Sequence, residues 1–103
     1  MKIFISIPMY GREVVDISRD MSIVEDEIID RYPDAEIINT LSNELIIDDN
    51  IKNKRLYYLG DALKKLAKCD AIYFCKGWQY ARGCRVEHEA AVLYKIPMIY
   101  QTN

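Results

Sequence analysis

"AIYFCKGWQYARGCRVEHEAAVLYKIPMIYQ", residues 71–101, is the stretch that decides the fold class. It opens with a short apolar run, AIYFC (71–75), and closes with a second, IPMIYQ (96–101), and both runs are typical of buried strands. Between them, Val86, Ala90 and Leu93 recur at helical spacing and predict a helix that packs through this stripe. A strand, a helix and a strand in this order predict two parallel strands joined by a right-handed crossover.

The same alternation fills the rest of the chain. KIFISI (2–7), stopped by Pro8, predicts a first strand, and AEIIN (35–39) predicts a second. Helices are predicted over 12–31 and 54–68. The order β-α-β-α-β-α-β predicts an α/β fold, a flavodoxin-like or Rossmann-like three-layer sandwich with a small four-stranded parallel sheet in the order 2-1-3-4. The predicted apolar stripes of the two helices are Val14, Ile17, Met21, Val24 and Ile28, then Leu56, Leu59, Leu63 and Leu66.

Length and composition limit the class of protein further. The 103 residues predict a single domain over 1–103, and no apolar run is long enough to span a membrane. The net charge of -2, from 14 basic and 16 acidic residues, gives no overall field to attract a nucleic acid polymer or a membrane surface. The three cysteines lack a paired CxxC spacing, so we expect no metal, no cofactor and a cytoplasmic location.

Two loops are predicted to meet where a ligand would bind. In an open parallel sheet, ligands bind beyond the carboxyl ends of the strands where strand order reverses, here between the first and third strands. PMYGRE (8–13) and KGWQYARG (76–83) leave those two strands. Their rings could stack on a base and their cations could bind an anion, or these side chains only cover the end of the sheet. The side chains concerned are Tyr10, Trp78, Tyr80, Arg12, Lys76, Arg82 and Arg85.

The third helix carries two glutamates near its start. Glu87 and Glu89 flank the predicted stripe on opposite sides, so either could face the cleft. Acidic residues in the first turns of a helix are also common because they stabilise its N-terminus, and the residues alone leave both explanations open. His88 is predicted to be a solvated side chain that points away from the core.

Two long segments resemble a known family. MKIFISIPMYG (1–11) and YYLGDALKKLAKCDAIYFCKGWQYARGCRVEHEAAVLYKIPMIY (57–100) resemble DUF4406, a family of small domains frequent in phages and prophages. That family is similar to the nucleoside 2-deoxyribosyltransferase superfamily. The resemblance covers almost the whole chain except residues 40–55, a stretch whose length favours a functional or subunit-contacting loop.

The resemblance implies a reaction and a set of site residues. In the transferases and related deoxynucleotide N-glycosidases, a glutamate in a G-x-x-x-E motif attacks C1′ of deoxyribose and displaces the base. GCRVE (83–87) matches this motif, which makes Glu87 the expected nucleophile. The helper aspartate of the relatives falls on Ala62, so Asp61 fills that role only if its helix is shifted. The expected ligand-binding residues are Pro8, Met9, Tyr10, Lys76, Gly77, Trp78, Arg82, Gly83 and Arg85.

These expectations leave three kinds of protein open. The first is an enzyme that cleaves the N-glycosidic bond of a nucleoside or nucleotide, or exchanges the base. The second is a non-catalytic protein that binds or sequesters a nucleotide in the same cleft. The third is an interaction module in which Trp78 anchors an interface. The superfamily and the exposed edge of a four-stranded sheet both lead us to expect a homo-oligomer.

Overall fold

The secondary structure follows the predicted alternation of strands and helices. The structure is a computed structural model that describes residues 1–39 and 49–102. Within these ranges three α-helices and a single 3₁₀ turn connect four strands. In chain order the elements are β1 (Lys2–Ser6), α1 (Val14–Arg31), β2 (Glu36–Ile38), α2 (Lys54–Leu66), β3 (Ala71–Phe74), a 3₁₀ turn (Trp78–Tyr80), α3 (Arg82–Leu93) and β4 (Met98–Tyr100).

The four strands form one parallel sheet in the order β2-β1-β3-β4, which confirms the predicted topology. Ile3 of β1 lies opposite Ile37 of β2 on one side and Ala71 of β3 on the other. Tyr73 of β3 lies opposite Ile99 of β4. Because β1 is followed along the chain by β2 on one side and later by β3 on the other, the strand order reverses between β1 and β3.

Helices cover both faces of the sheet. Alternate side chains of β1 point to opposite faces, so Ile3 and Ile5 pack with α1 while Phe4 packs with α2 and α3. The α1 face buries Ile17, Met21, Val24 and Ile28 of that helix, as the sequence stripe predicts, although Val14 is exposed. On the other face α2 contributes Ala62 and Leu66, and α3 contributes Ala91. The result is the predicted three-layer α/β fold.

The predicted core stripe of α3 is wrong. Val86 is 40% exposed and Leu93 is 65% exposed, whereas Cys84, Glu87 and Ala91 are buried. Moving from Val86 to Glu87 is a rotation of one residue, about 100° around the helix. The small side chains of Cys84 and Ala91 let α3 approach the sheet closely, and the Glu87 carboxyl finds a partner there. In α2 the stripe is partly wrong, because Leu56 is 63% exposed.

The segment expected to form a functional or subunit-contacting loop, 40–55, falls mostly outside the described residues. Residues 40–48 are not described, and the described part ends in the start of α2. There the Asn53 side chain accepts a hydrogen bond from the backbone N–H of Leu56 at 2.9 Å, which caps the helix. No helix in residues 1–39 and 49–102 is both long and apolar enough to cross a membrane.

Candidate functional site

The centre of the candidate site is a hydrogen-bonded pair, Ser6 and Glu87. Ser6 is the last residue of β1 and points to the α3 face, where its hydroxyl donates to Glu87 Oε1 at 2.6 Å. The two residues are 1% and 6% exposed. In the part of the chain that the structure describes, Glu87 is the single buried residue with a charged side chain. A carboxyl group is therefore held at the carboxyl end of the central strand, beside the point where strand order reverses.

Burial controls the protonation of this carboxyl group. Removal from water raises the pKa of Glu87 to about 7, and the hydrogen bond from Ser6 opposes that rise. A large fraction of the protein near neutral pH therefore carries an ionised Glu87. The neighbouring Cys84 is different, because burial raises the pKa of its thiol to about 11. Cys84 stays a neutral thiol near pH 7, and Glu87 is the better candidate for a nucleophile.

The loop before α3 brings this helix to the edge of the sheet. Gly77 has a φ of +88°, a left-handed conformation that favours glycine, and a Cβ there would lie 3.7 Å from Cγ of Pro8. The two predicted ligand loops therefore touch at Pro8 and Gly77. Further along, Gly83 in the first turn of α3 faces α2. A Cβ at this position would lie 3.9 Å from Cδ1 of Leu59. Helix α3 begins after Ala81, whose side chain makes no capping hydrogen bond to the first turn.

An exposed tyrosine with two arginines lies at the same edge. Tyr10, in the loop after β1, is 73% exposed. Cζ of Arg82, the first residue of α3, is 5.9 Å from the centre of its ring, and Cζ of Arg55 is 4.1 Å away. Tyr10 and Arg82 are among the site residues predicted from the sequence, whereas Arg55 is not. Its place in the first turn of α2 was a usable signal, because the helix after β2 starts at the carboxyl edge of the sheet.

Trp78 belongs to an aromatic cluster on the β4 side. Its ring stacks on His88 at 4.1 Å with an interplanar angle of 18° and lies 5.2 Å from Phe74. Nε2 of His88 and the hydroxyl of Tyr100 are 2.8 Å apart. The prediction of a solvated His88 is therefore wrong, because this ring is half-buried and fixed between two aromatic partners. A groove of about 370 Å³ borders the cluster, lined by Phe74, Lys76, Gly77, Trp78, Gln79, Tyr100 and Gln101.

The groove and the Ser6–Glu87 pair are neighbours but distinct. Glu87 does not line the groove. His88, the next residue of α3, faces the groove's aromatic wall while Glu87 faces β1. Two groove residues, Trp78 and Gln79, lie in the 3₁₀ turn that leads directly into α3. The structure thus provides a stacking surface on one side of α3 and a carboxyl group on the other.

Several other predicted site residues have structural partners. Asp61 forms an ion pair with Lys65, its Oδ2 lying 3.2 Å from Nζ, and it is not bonded to Glu87. Met9 packs against the core on the α1 face. Lys76 is exposed, and its backbone N–H donates to Oε1 of Gln101 at 2.9 Å. Arg85 is exposed on α3.

The remaining candidate residues lie in the two loops and in α3, and their surroundings differ. Arg12 of the first loop donates to the carbonyl of Pro8 at 2.9 Å and pairs with Asp20, which ties it to α1. Tyr80 and Glu89 are exposed. In residues 1–39 and 49–102 no three histidine, cysteine, aspartate or glutamate residues are grouped to hold a metal ion.

These features define an α/β protein with a candidate ligand site at the carboxyl edge of a parallel sheet. The chain belongs to the family described as "Domain of unknown function (DUF4406)", whose model matches residues 1–100. No curated protein matches it.

Its fold is similar to that in the crystal structure of a conserved protein from Enterococcus faecalis V583, with a TM-score of 0.68 and 19% sequence identity. That similarity covers 96% of this chain, which spans 61% of the other protein. At this identity the likeness shows the fold alone.

Proposed function

We propose that this protein breaks the N-glycosidic bond of a nucleoside or nucleotide, releasing the base or exchanging it for another, with Glu87 as the nucleophile. The observation that carries the proposal is the buried Ser6–Glu87 pair at the reversal of strand order. Burying a carboxyl group costs stability, and buried carboxyl groups with a shifted pKa are concentrated at functional sites, which supports a chemical role for Glu87. The likeness of Gly83–Glu87 to the transferase motif adds independent support.

The reaction has two steps: the first attaches the sugar to the Glu87 carboxylate, and the second releases it and restores the carboxylate. In the first, a carboxylate oxygen attacks C1′, the bond from C1′ to the base nitrogen breaks, and the base leaves with the bonding electron pair and takes up one proton. A glycosyl ester of Glu87 remains. In the second, water attacks C1′ and restores the carboxylate, or the nitrogen of another base does so, and the attacking group loses a proton to solvent.

Ser6 prepares the carboxylate for this role. Its hydroxyl occupies Oε1 of Glu87, which leaves Oε2 as the attacking atom and fixes the carboxyl plane. The developing positive charge at C1′ favours the ionised carboxylate opposite it, which compensates for the desolvation that raises the pKa of Glu87. Tyr10 supplies an exposed ring surface at the same edge for the sugar or the base, whereas the Trp78 ring lies on the other side of α3, at the neighbouring groove.

The second candidate is a nucleotide-binding protein without turnover. It is favoured by the ion pair of Asp61 with Lys65, because that aspartate was the expected helper for protonating the leaving base. If no other group supplies the proton, the chain binds its ligand in the same cleft and releases it unchanged. In that case Trp78 and the basic residues of the edge carry the function, and Glu87 is a fold determinant.

The deciding experiment is a chromatographic assay of base release. Purified protein is incubated with deoxynucleosides and their 5′-monophosphates, with and without a second free base, and the products are separated. We expect released or exchanged base from wild type and none from Glu87→Gln, while the matched variant Glu89→Gln retains activity because Glu89 is exposed. Bound ligand with no base release from any compound would reject the enzyme and leave the binding protein.

A further inference from the structure

We propose that Arg55 and Arg82 form a binding site for a phosphate monoester beside Tyr10, so that the protein selects nucleoside 5′-monophosphates over nucleosides. The identity of the molecule that carries the phosphate rests on the proposed function. The anion site itself rests on the geometry of these three residues. Arg55 is the specificity-determining residue that this geometry adds.

The two guanidinium groups converge on one ring. Cζ of Arg55 lies 4.1 Å from the centre of the Tyr10 ring and Cζ of Arg82 lies 5.9 Å from it, so both cations are held around a single exposed side chain. An aromatic ring attracts and orients a guanidinium plane without neutralising its charge. Tyr10 thus attracts both cations to one place, and within residues 1–39 and 49–102 neither guanidinium group donates a hydrogen bond to another residue.

The charge of this pair is not compensated within the described chain. In residues 1–39 and 49–102 neither Arg55 nor Arg82 pairs with a carboxylate. The arginines of α1 and its preceding loop behave differently, since Arg12 pairs with Asp20 and Arg19 pairs with Asp16. Two like charges near one ring repel each other, and an anion that contacts both reduces that repulsion. A phosphate is the best fit, because its oxygens accept paired hydrogen bonds from the fork of a guanidinium.

The position of the pair suits the 5′ end of a substrate whose C1′ faces Glu87. Arg82 and Glu87 lie on the same helix, five residues apart, which is about 7.5 Å along its axis and about 140° around it, so a ligand that contacts both reaches across the start of α3. Tyr10 leaves β1 just beyond Ser6, so the anion site and the Ser6–Glu87 pair share the same edge.

The test measures binding by calorimetry for three ligands at low ionic strength: inorganic phosphate, a deoxynucleoside 5′-monophosphate and the matching nucleoside. We expect the monophosphate to bind at least about tenfold more tightly than the nucleoside. Arg55→Gln and Arg82→Gln each weaken monophosphate binding by about tenfold and leave nucleoside binding unchanged. Arg55→Lys keeps the charge, loses the paired donors and lies between wild type and Arg55→Gln.

Matched controls separate recognition from folding. Arg19→Gln removes an exposed arginine of α1 and should leave all three affinities unchanged, and equal thermal unfolding temperatures confirm that the variants are folded. Equal affinity for nucleoside and monophosphate, absence of binding by either phosphate compound, or an unchanged preference in Arg55→Gln would overturn the site. Tight monophosphate binding without base release retains the site and rejects the enzyme. Base release with no preference for the monophosphate rejects the phosphate site and retains the enzyme.

Discussion

The two faces of the sheet carry different kinds of core. On the α1 face the buried side chains are apolar apart from Cys75 and from Tyr73, whose hydroxyl donates to Glu27 at 3.3 Å at the margin. On the α3 face the apolar core ends at Ser6 and Glu87, and burial of the carboxyl group raises its pKa to about 7. The α1 face therefore stabilises the fold through apolar contacts. The α3 face buries an ionisable group near the carboxyl edge of the sheet, at a cost in stability.

The largest effect is expected from the α1 face. Ile28 is fully buried, so Ile28→Ala leaves a cavity and should lower the free energy of unfolding by about 2–5 kcal/mol. Ile29→Ala, one residue along the same helix and 39% exposed, should cost much less. Urea unfolding of both variants measures the difference. Equal losses would mean that the α1 face does not carry the stability of the fold.

The second largest effect, on the α3 face, has the opposite sign, because substitution of Glu87 is expected to raise the free energy of unfolding. Folded protein binds the Glu87 proton more tightly than the unfolded chain, whose carboxyl has the ordinary pKa of 4.5. The resulting destabilisation is absent below pH 4.5, grows as pH rises and is complete above about pH 7, where it reaches roughly 3 kcal/mol at most. Glu87→Gln is always neutral, so it should be more stable than wild type at pH 8 and show little difference at pH 4.5.

Urea unfolding at both pH values tests this sign. Glu89→Gln is the matched control, because its carboxyl is exposed and should give no comparable pH-dependent difference. A Glu87→Gln variant that is less stable than wild type at pH 8 would show that the ionised carboxylate stabilises the fold. The contrast between the two faces would then be wrong.

A smaller effect is expected at Ser6. The Ser6 hydrogen bond lowers the pKa of Glu87 against the effect of burial, so Ser6→Ala should move that pKa further upward. A hydrogen bond to a charged group is worth about 1.5–3 kcal/mol, which sets an upper limit of roughly one to two pH units. Carbon NMR titration of the Glu87 carboxyl measures the shift directly. Ser22→Ala, on the surface of α1, should leave the titration unchanged.

The smallest effect is expected on the exposed face of α3, which carries Val86 and Leu93. Leu93 is 65% exposed, so Leu93→Ser in an isolated chain should change the free energy of unfolding by no more than about 0.5 kcal/mol. Unfolding should be measured together with sedimentation, because we expect the protein to be a homo-oligomer. A much larger loss accompanied by dissociation would show that another copy of the chain covers this face.

Periodicity predicts the α1 face well and the α3 face poorly, for a physical reason. In α1 Ile17, Met21, Val24 and Ile28 recur at helical spacing over about three turns, and the apolar residues outside that stripe are too few to define a second buried face. In α3 two sets compete, because Val86 and Leu93 are apolar while Cys84 and Ala91 are small. The hydrogen bond from Ser6 to Glu87 favours the second set, and a contact between residues this far apart in the chain is invisible to local spacing.

The site was predictable only where the chain order determines it. The loops after β1 and β3 must meet at one edge of a parallel sheet, and Pro8 and Gly77 do so. The convergence of Arg55 on Tyr10 and the stacking of His88 on Trp78 depend on how helices pack, which the sequence pattern does not specify. Glu87 was named through resemblance to a motif, since spacing alone did not distinguish it from Glu89.

The contact between Trp78 and His88 gives the protein a built-in optical probe. The chain contains a single tryptophan, so its indole emission comes entirely from this ring. That ring lies against His88 at 4.1 Å and on the wall of the groove. A molecule that enters the groove changes the surroundings of the indole. Occupancy of this groove can therefore be followed in the unlabelled protein by fluorescence, without waiting for a reaction product.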